Sequence, residues 1–318
     1  MIARRTFIKG ASMAAITATT SGLHTGRGHA QQVPNSAGNE PPKLKAPANA
    51  ADCHMHIYDA RFPQIASRAP VTDAAVMQYR LLQKRTGTTR VVVVQPRNHA
   101  TDNQVTLDAI AQLGANARGI AVIHPTITDA ELKQLDAGGI RGIRFSLGDP
   151  ATAVVALDMI EPLALRIASL GWHVQLHWPG DMYMENAALL RRLPCPIVID
   201  HMGRFPPETG IAHPAYRLIL ELIDKGRTWV KIAGAYLNTR IGPPTYADAT
   251  KTAQAFVKAA PERLVWGSDW PHPGRPEGSK PDDAVLLDLL TVWAPDEATR
   301  TRILVRNPEA LYGFAKSA

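Results

Sequence analysis

The chain has 318 residues, of which 45% are hydrophobic and 20% charged, as in a globular protein with a sizeable core. This composition excludes a disordered chain, a collagen and a coiled coil. The net charge is +7, but residues 1–30 hold four basic residues and no acidic one, which leaves +3 for the rest. The rest has no cluster of Lys and Arg interleaved with aromatics, so we exclude nucleic acid as a partner.

The first thirty residues have the parts of an export signal. A basic start with the pair Arg4-Arg5, followed by Phe7 and Lys9, leads into a weakly apolar stretch and ends on small residues at Ala30. The arginine pair predicts a twin-arginine signal, and hence a periplasmic protein exported by the twin-arginine machinery. An ordinary Sec signal or a disordered tail is the alternative. The apolar stretch is too short and too rich in Ser and Thr to span a membrane.

Residues 31–50 are polar and rich in proline, which predicts a flexible linker. The remaining residues, 51–318, then form a single catalytic domain.

Eight short apolar runs follow, each separated from the next by a segment with helical spacing of apolar residues. Strand–helix alternation predicts a parallel sheet, and eight units in this length predict an α/β fold of the closed (β/α)8, or TIM, barrel type. An open doubly wound sheet is the alternative, but no Gly-x-Gly-x-x-Gly turn follows the first strand. The predicted strands are 52–57, 91–95, 119–123, 141–145, 173–178, 197–201, 228–233 and 264–269.

Polar residues gather at the carboxyl ends of these strands, where barrel enzymes place their active sites. His54 and His56 lie two apart on the first strand, so both side chains point to the same side. Later strand ends add further polar groups: Gln95, Arg97, Arg144, His177, His201 and Asp269.

This set of residues allows two chemistries. In the first, His54, His56, His177 and Asp269 hold one divalent ion such as zinc, which activates a water molecule. In the second, no metal is required, Asp269 is the general base for water, and the histidines stabilise the developing oxyanion. The spacing of the residues leaves both open.

At these positions the chain resembles the amidohydrolase superfamily, in the branch that contains 2-pyrone-4,6-dicarboxylate lactonase and D-galactarolactone isomerase. The resemblance covers about residues 50–315 and rests on the segments 52–56 (DCHMH), 101–103 (TDN), 139–145 (GIRGIRF), 171–174 (GWHV), 199–204 (IDHMGR), 266–273 (WGSDWPHP) and 307–308 (NP).

The resemblance implies a barrel enzyme that acts on a lactone, in a branch whose members can work without metal. Carried over by position, Asp269 matches the water-activating aspartate and Arg144 matches a substrate-binding arginine. The carbonyl-binding histidines of the family match His54, His56 and His201.

Several positions depart from the pyrone lactonase. Arg97 replaces a serine, Pro150 replaces a second arginine, and His177 replaces a tyrosine, while an arginine after the seventh strand falls near Leu237. Contacts for a dicarboxylate are therefore missing, and His177 completes the metal set that the pyrone lactonase lacks. We expect Arg144, His177, Arg97 and Gln95 to bind substrate.

The sequence thus predicts a hydrolase that opens a lactone, with a sugar-acid lactone as the expected substrate. A lactone isomerase working by intramolecular acyl transfer is one alternative, and a metal-dependent amidohydrolase or decarboxylase is another. The predicted cofactor is either none or one divalent metal.

Overall fold

Eight parallel strands form one sheet whose spatial order follows the chain. A computed structural model describes residues 32–66, 68–71, 74–149 and 153–317. Each strand pairs in parallel with the next. The strands are β1 (Ala51–Met55), β2 (Arg90–Val94), β3 (Ala117–Ala121), β4 (Ile140–Ser146), β5 (His173–His177), β6 (Ile197–Ile199), β7 (Thr228–Ala233) and β8 (Leu264–Gly267).

The sheet curls round so that the end of β8 meets β1. The backbone N–H of Asp269 donates to the carbonyl of His54 at 2.7 Å, and that of His56 donates to the carbonyl of Trp270 at 2.8 Å. Gly267 permits this approach, because a Cβ there would lie only 2.7 Å from the backbone nitrogen of His54. The predicted (β/α)8 barrel is therefore confirmed, and all eight predicted strands are present.

Helices connect the strands, and the longer ones bury one face against the barrel. In α7, residues Leu218, Ile219, Leu222 and Ile223 are buried, which is the spacing of one helical face. The helices are α1 (Val76–Thr86), α2 (Gln104–Leu113), α3 (Asp129–Ala137), α4 (Ile160–Ala168), α5 (Gly180–Glu185), α6 (Ala187–Arg192), α7 (Pro214–Asp224), α8 (Ala247–Ala259), α9 (Asp283–Trp293), α10 (Glu297–Thr301) and α11 (Asn307–Tyr312). Within the described ranges, no helix is both long and apolar enough to cross a membrane.

Residues 32–50 lie against the barrel, where the sequence predicts a flexible linker. Trp270 donates its indole N–H to the carbonyl of Pro34 at 2.8 Å, and Val33 is buried. The backbone N–H groups of Lys43 and Leu44 donate to the Asp288 carboxylate. Partners on the barrel thus satisfy a backbone that forms no regular structure of its own. The predicted export signal lies outside the described residues.

Candidate active site

The polar residues predicted from the strand ends converge at one mouth of the barrel. His54 lies in β1 and His56 directly after it, while His201 follows β6 and Asp269 follows β8. These four residues are between 0% and 5% exposed. The ring centroid of His54 lies 5.0 Å from that of His56 and 4.7 Å from that of His201.

Asp269 is the centre of this group, and its two carboxylate oxygens have different neighbours. Oδ1 lies 3.5 Å from Nε2 of His54 and 3.4 Å from Nε2 of His56. Oδ2 accepts a hydrogen bond of 2.5 Å from the hydroxyl of Tyr236. One oxygen is therefore held by the protein, and the other faces the imidazoles.

The histidines are oriented from behind by groups in the barrel interior. Nδ1 of His56 donates to the carbonyl of Val94 at 2.8 Å, since a carbonyl oxygen only accepts. Nδ1 of His54 lies 3.3 Å from Oδ1 of Asp200 and 3.4 Å from Nζ of Lys231. In both histidines, Nε2 is the nitrogen that faces Asp269.

Burial sets the charge of the site. It lowers the pKa of His54 well below the usual range and also lowers the pKa of His201. Burial alone raises the pKa of Asp269, but His201, His56 and His54 around it lower that pKa well below its usual range. Asp269 is therefore a carboxylate at pH 7.

A second buried carboxylate, Asp200, lies behind His54 and is surrounded by cations and amides. Its Oδ2 accepts from Nε2 of Gln175 at 3.0 Å and from Nε of Arg144 at 3.3 Å. Nζ of Lys231 lies 3.8 Å from its Oδ1 and donates to Oε1 of Gln175 at 2.7 Å. Burial raises the pKa of Asp200, but His54, Lys231 and Arg144 lower it well below its usual range.

His177 does not join the metal set that the sequence predicts. Nε2 of His177 lies 3.0 Å from a guanidinium nitrogen of Arg204, which can only donate, so its lone pair is already used. Its Nδ1 bonds to the hydroxyl of Ser146 at 2.8 Å. The predicted set of His54, His56, His177 and Asp269 is therefore not formed, because His177 has protein partners on both ring nitrogens.

A different set could hold a metal ion. Ligand atoms of His54, His201 and Asp269 all lie within 4.8 Å of one another. Nε2 of His54 is buried and has no hydrogen-bond partner in the described part of the chain, as expected of a nitrogen available for a ligand. Two imidazoles and a carboxylate match the donor types of catalytic zinc sites.

Gln95 and Arg97, which are both predicted to bind substrate, have different surroundings in the structure. The amide of Gln95 is completely buried and engaged within the protein: Nε2 donates to the carbonyl of Asp102 at 2.7 Å, and Oε1 accepts from Thr106 at 2.6 Å. Gln95 therefore holds the loop after β2, and the substrate-binding role predicted for it is not supported. Arg97 lies at the mouth, 3.5 Å from the carboxylate of Asp149.

Arg144 contacts the buried Asp200 and also lies at the mouth of the barrel. Its Nε donates to Asp200, and its side chain lines the mouth together with Arg97 and Ser146. Burial and the charges of Arg68 and Arg144 lower the pKa of Arg97. Three arginines therefore lie close to one another beside the site.

Sequence reasoning missed Tyr236 and Asp283. Tyr236 lies three residues beyond the end of β7, and that position was its only signal. Asp283 reaches the site only through His272, which the sequence places outside the eighth strand.

These features define an amidohydrolase. The chain belongs to that family, because the family model described as Amidohydrolase matches residues 51–314. The family predicted from the sequence motifs is therefore confirmed.

The chain is also similar to several individual proteins. The chain is 35% identical to 4-sulfomuconolactone hydrolase of Rhizobium radiobacter, over 87% of this chain and 94% of that enzyme. It is 34% identical to D-galactarolactone isomerase of Agrobacterium fabrum, over 85% of this chain and 93% of that enzyme. Among solved structures, it resembles a probable 2-pyrone-4,6-dicarboxylic acid hydrolase from Acinetobacter baumannii with citric acid bound. That match has a TM-score of 0.74 and 31% identity, and covers 84% of this chain and 100% of the other.

Proposed function

We propose that the protein is a lactone hydrolase in which Asp269 activates water. The observation that carries this proposal is the asymmetry of the Asp269 carboxylate, with Oδ2 held by Tyr236 and Oδ1 directed at the imidazoles of His54 and His56. A carboxylate so placed can take a proton from a water molecule between itself and a bound carbonyl. The name of one relative, 4-sulfomuconolactone hydrolase, supports the same reaction.

The reaction then has three steps. Oδ1 of Asp269 accepts a proton from water as the water oxygen bonds to the lactone carbonyl carbon. N–H groups of His54 and His201 stabilise the oxyanion that forms, whereas the Nδ1–H of His56 is used on the carbonyl of Val94 and holds that ring in place. The C–O bond to the ring oxygen breaks, and the proton on Asp269 passes to that oxygen to give a hydroxy acid.

The low pKa of Asp269 fits this sequence of steps. It keeps the carboxylate free of a proton before substrate binds. Negative charge that develops on the nearby carbonyl oxygen then raises the proton affinity of Asp269, because like charges disfavour each other. The base thus strengthens as water is attacked.

The substrate carries a negative charge in this proposal. Arg97 and Arg144 line the mouth, and Arg68 lies near enough to lower the pKa of Arg97. Nε and one terminal nitrogen of Arg68 are buried and have no hydrogen-bond partner among the described residues. Guanidinium groups bind carboxylates in a bidentate manner, so a lactone with an anionic substituent fits this mouth. A sugar-acid lactone is one such compound.

The test is hydrolysis of three lactones: 4-sulfomuconolactone, 2-pyrone-4,6-dicarboxylate and D-galactarolactone. We expect acid release from at least one of them, and a KM at least about tenfold higher for Arg97→Gln, because a charged hydrogen bond is lost. Arg240→Gln, which alters an exposed arginine paired with Glu208, is the matched control. No turnover of any of the three would contradict the proposal.

A lactone isomerase is the second candidate, favoured by the likeness to D-galactarolactone isomerase. In that reaction a substrate hydroxyl attacks the carbonyl, and Asp269 takes the proton from that hydroxyl. The two candidates differ in whether an oxygen atom from solvent enters the product.

A bound metal is compatible with the same residues. His54, His201 and Asp269 would hold one divalent ion, which would supply Lewis-acid polarisation and a more acidic water. We expect zinc titration calorimetry to detect a site that His201→Ala abolishes and His177→Phe leaves unchanged. Loss of zinc binding in His177→Phe would instead support the metal site with His177 that is predicted from the sequence. Activity after exhaustive chelation then tells whether turnover needs the ion.

Residues 1–30 direct export by the twin-arginine machinery in this proposal, on the strength of Arg4-Arg5 with Phe7 and Lys9. Replacement of both arginines by lysine is expected to leave precursor in the cytoplasm. Mature protein in the periplasm of that variant would point to a Sec signal instead.

A further inference from the structure

Behind Asp269, a buried chain of side chains leads away from the site. We propose that Tyr236, His272 and Asp283 form a positioning relay that fixes the Asp269 carboxylate so that Oδ1 alone acts as the base. This proposal rests on the proposed role of Asp269 as the general base, and it assigns Tyr236 and His272 to the same reaction.

The four groups are joined in series. Tyr236 donates its hydroxyl proton to Oδ2 of Asp269 at 2.5 Å. Nδ1 of His272 lies 3.2 Å from the same hydroxyl, and Nε2 of His272 lies 3.1 Å from Oδ2 of Asp283. Carboxylates therefore stand at both ends, with a phenol and an imidazole between them.

The direction of the hydrogen bonds follows from the number of protons. A tyrosine hydroxyl has one proton, and that proton is used on the Asp269 carboxylate. The tyrosine oxygen must then accept from Nδ1–H of His272. Because the Asp283 carboxylate only accepts, Nε2–H of His272 donates to it, so both ring nitrogens of His272 are donors in this series. With its Nδ1 proton directed at Tyr236, His272 keeps the phenol proton directed at Asp269.

Packing holds the series in place. Tyr236 is 3% exposed, and His272 and Asp283 are 0% exposed. The guanidinium of Arg275 lies 5.4 Å from the centre of the Tyr236 ring and donates to the Tyr236 carbonyl at 2.6 Å. The ring of His272 meets that of Tyr236 edge to face at 5.2 Å.

The far end of the series is also favourable for a negative charge. Asp283 is the first residue of α9, where the helix dipole stabilises a carboxylate. Its backbone N–H lies 3.3 Å from the hydroxyl of Ser36, in the segment that lies on the barrel. The Asp283 carboxylate is therefore shielded from solvent.

The consequence concerns rotation of the base. A carboxylate turns about its Cβ–Cγ bond, and either oxygen can then face the histidines. The bond from Tyr236 selects one orientation, so the basic lone pair on Oδ1 stays directed at the water position. A misplaced catalytic group costs turnover more than it costs substrate binding.

The test compares Tyr236→Phe with Tyr79→Phe, using the best substrate of the three lactones. Tyr79 is an equally buried tyrosine, whose hydroxyl donates to the buried Asp52 at 3.1 Å. Asp52 keeps its bonds from Ser268 and from the backbone of His54 when that hydroxyl is removed. We expect Tyr236→Phe to lose about 10–100-fold in kcat with KM within about twofold, and Tyr79→Phe to retain kcat.

Two substitutions at His272 separate its two bonds. The amide of His272→Asn can occupy the Nδ1 position and donate to Tyr236, whereas that of His272→Gln reaches towards Asp283. Asn tolerates the positive φ of 56° at this position better than Gln does, so the thermal midpoints of both variants are measured beside kcat. The relay predicts higher kcat for His272→Asn than for His272→Gln.

A double variant tests whether His272 acts through Tyr236. We expect Tyr236→Phe with His272→Gln to lose no more kcat than Tyr236→Phe alone, because the second change removes a bond already broken. Additive losses would contradict the relay, as would a Tyr236→Phe enzyme with wild-type kcat.

The Asp269→Asn variant keeps the two proposals apart. If Asp269→Asn is inactive while Tyr236→Phe is fully active, the relay is wrong and the base assignment stands. If Asp269→Asn turns over as the wild type does, the base assignment itself is wrong, and the relay with it.

Discussion

Two buried carboxylates flank His54, and their surroundings differ. Asp200 lies 3.3 Å from Nδ1 of His54, and Asp269 lies 3.5 Å from Nε2 of the same ring. Asp200 is completely buried between the cations of Lys231 and Arg144, whereas Asp269 bonds to the neutral hydroxyl of Tyr236 and is 5% exposed at the mouth. Partner identity, and not distance from His54, distinguishes the two.

In the reaction that we propose, this difference gives each carboxylate a separate role. Cations and an amide neutralise and anchor Asp200, so it cannot easily take up a proton and serves to orient His54. Asp269 keeps one oxygen for chemistry. The two acids have pKa values displaced in the same direction, yet of the two only Asp269 is exposed at the mouth of the barrel.

The largest effect is expected from Asp269→Asn. Removal of the base should lower turnover by at least about 10²-fold while the fold is kept, because an amide has nearly the same shape. Circular dichroism and the thermal midpoint check the fold, and product release gives the rate. Turnover close to that of the wild type would place the base elsewhere.

Asp200→Asn should instead act on stability. It leaves Lys231 and Arg144 buried without their counter-charge, at a cost of about 3–5 kcal/mol in the free energy of unfolding. Denaturant titration measures this loss, with Glu221→Gln in an exposed ion pair as the control that changes little.

Adding Lys231→Met to Asp200→Asn tests whether the lost stability comes from buried charges without a partner. It removes one of the two unpaired cations, so part of the lost stability should return. A double variant less stable than Asp200→Asn alone would show that Lys231 contributes through packing and not through charge.

The smallest effect concerns acid stability. His173, near Asp200 and Lys231, is buried, and burial together with Lys231 lowers its pKa to about 3. The unfolded chain binds a proton at this residue near pH 6.5 and the folded chain does not. Stability should therefore fall by about 1–2 kcal/mol for this group as the pH drops from 6.5 to 5.

His173→Leu tests this origin. Its stability should depend less steeply on pH between 6.5 and 5 than that of the wild type, when both are measured by denaturant titration. Parallel curves for the two proteins would assign the acid sensitivity to other groups.

The sequence predicts the barrel well because strand and helix periods are local properties. Each β-branched run is itself a strand, and parallel pairing with right-handed crossovers leaves few ways to arrange eight of them. The packed segment at residues 32–50 is different: its contacts with Trp270 and Asp288 are made to residues more than 200 positions away, which composition does not encode.

The site was only partly predictable for a similar reason. Strand ends locate His54, His56, His201 and Asp269, because barrel geometry brings those ends together. The strand-end rule also selects Gln95 and His177, whose hydrogen-bonding groups are used by neighbours that only the folded chain supplies. The strand-end rule does not select Tyr236, because that residue lies in a short 3-10 helix beyond the end of β7.

Hydrolysis in water enriched in oxygen-18 tests the central claim most directly. The wild-type enzyme and the best lactone of the three are used, with mass spectrometry of the product. Attack by an Asp269-activated water predicts one heavy oxygen in the new carboxylate, with the ring-opened hydroxy acid as product. An isomeric lactone without solvent oxygen would contradict a hydrolase and establish intramolecular acyl transfer instead.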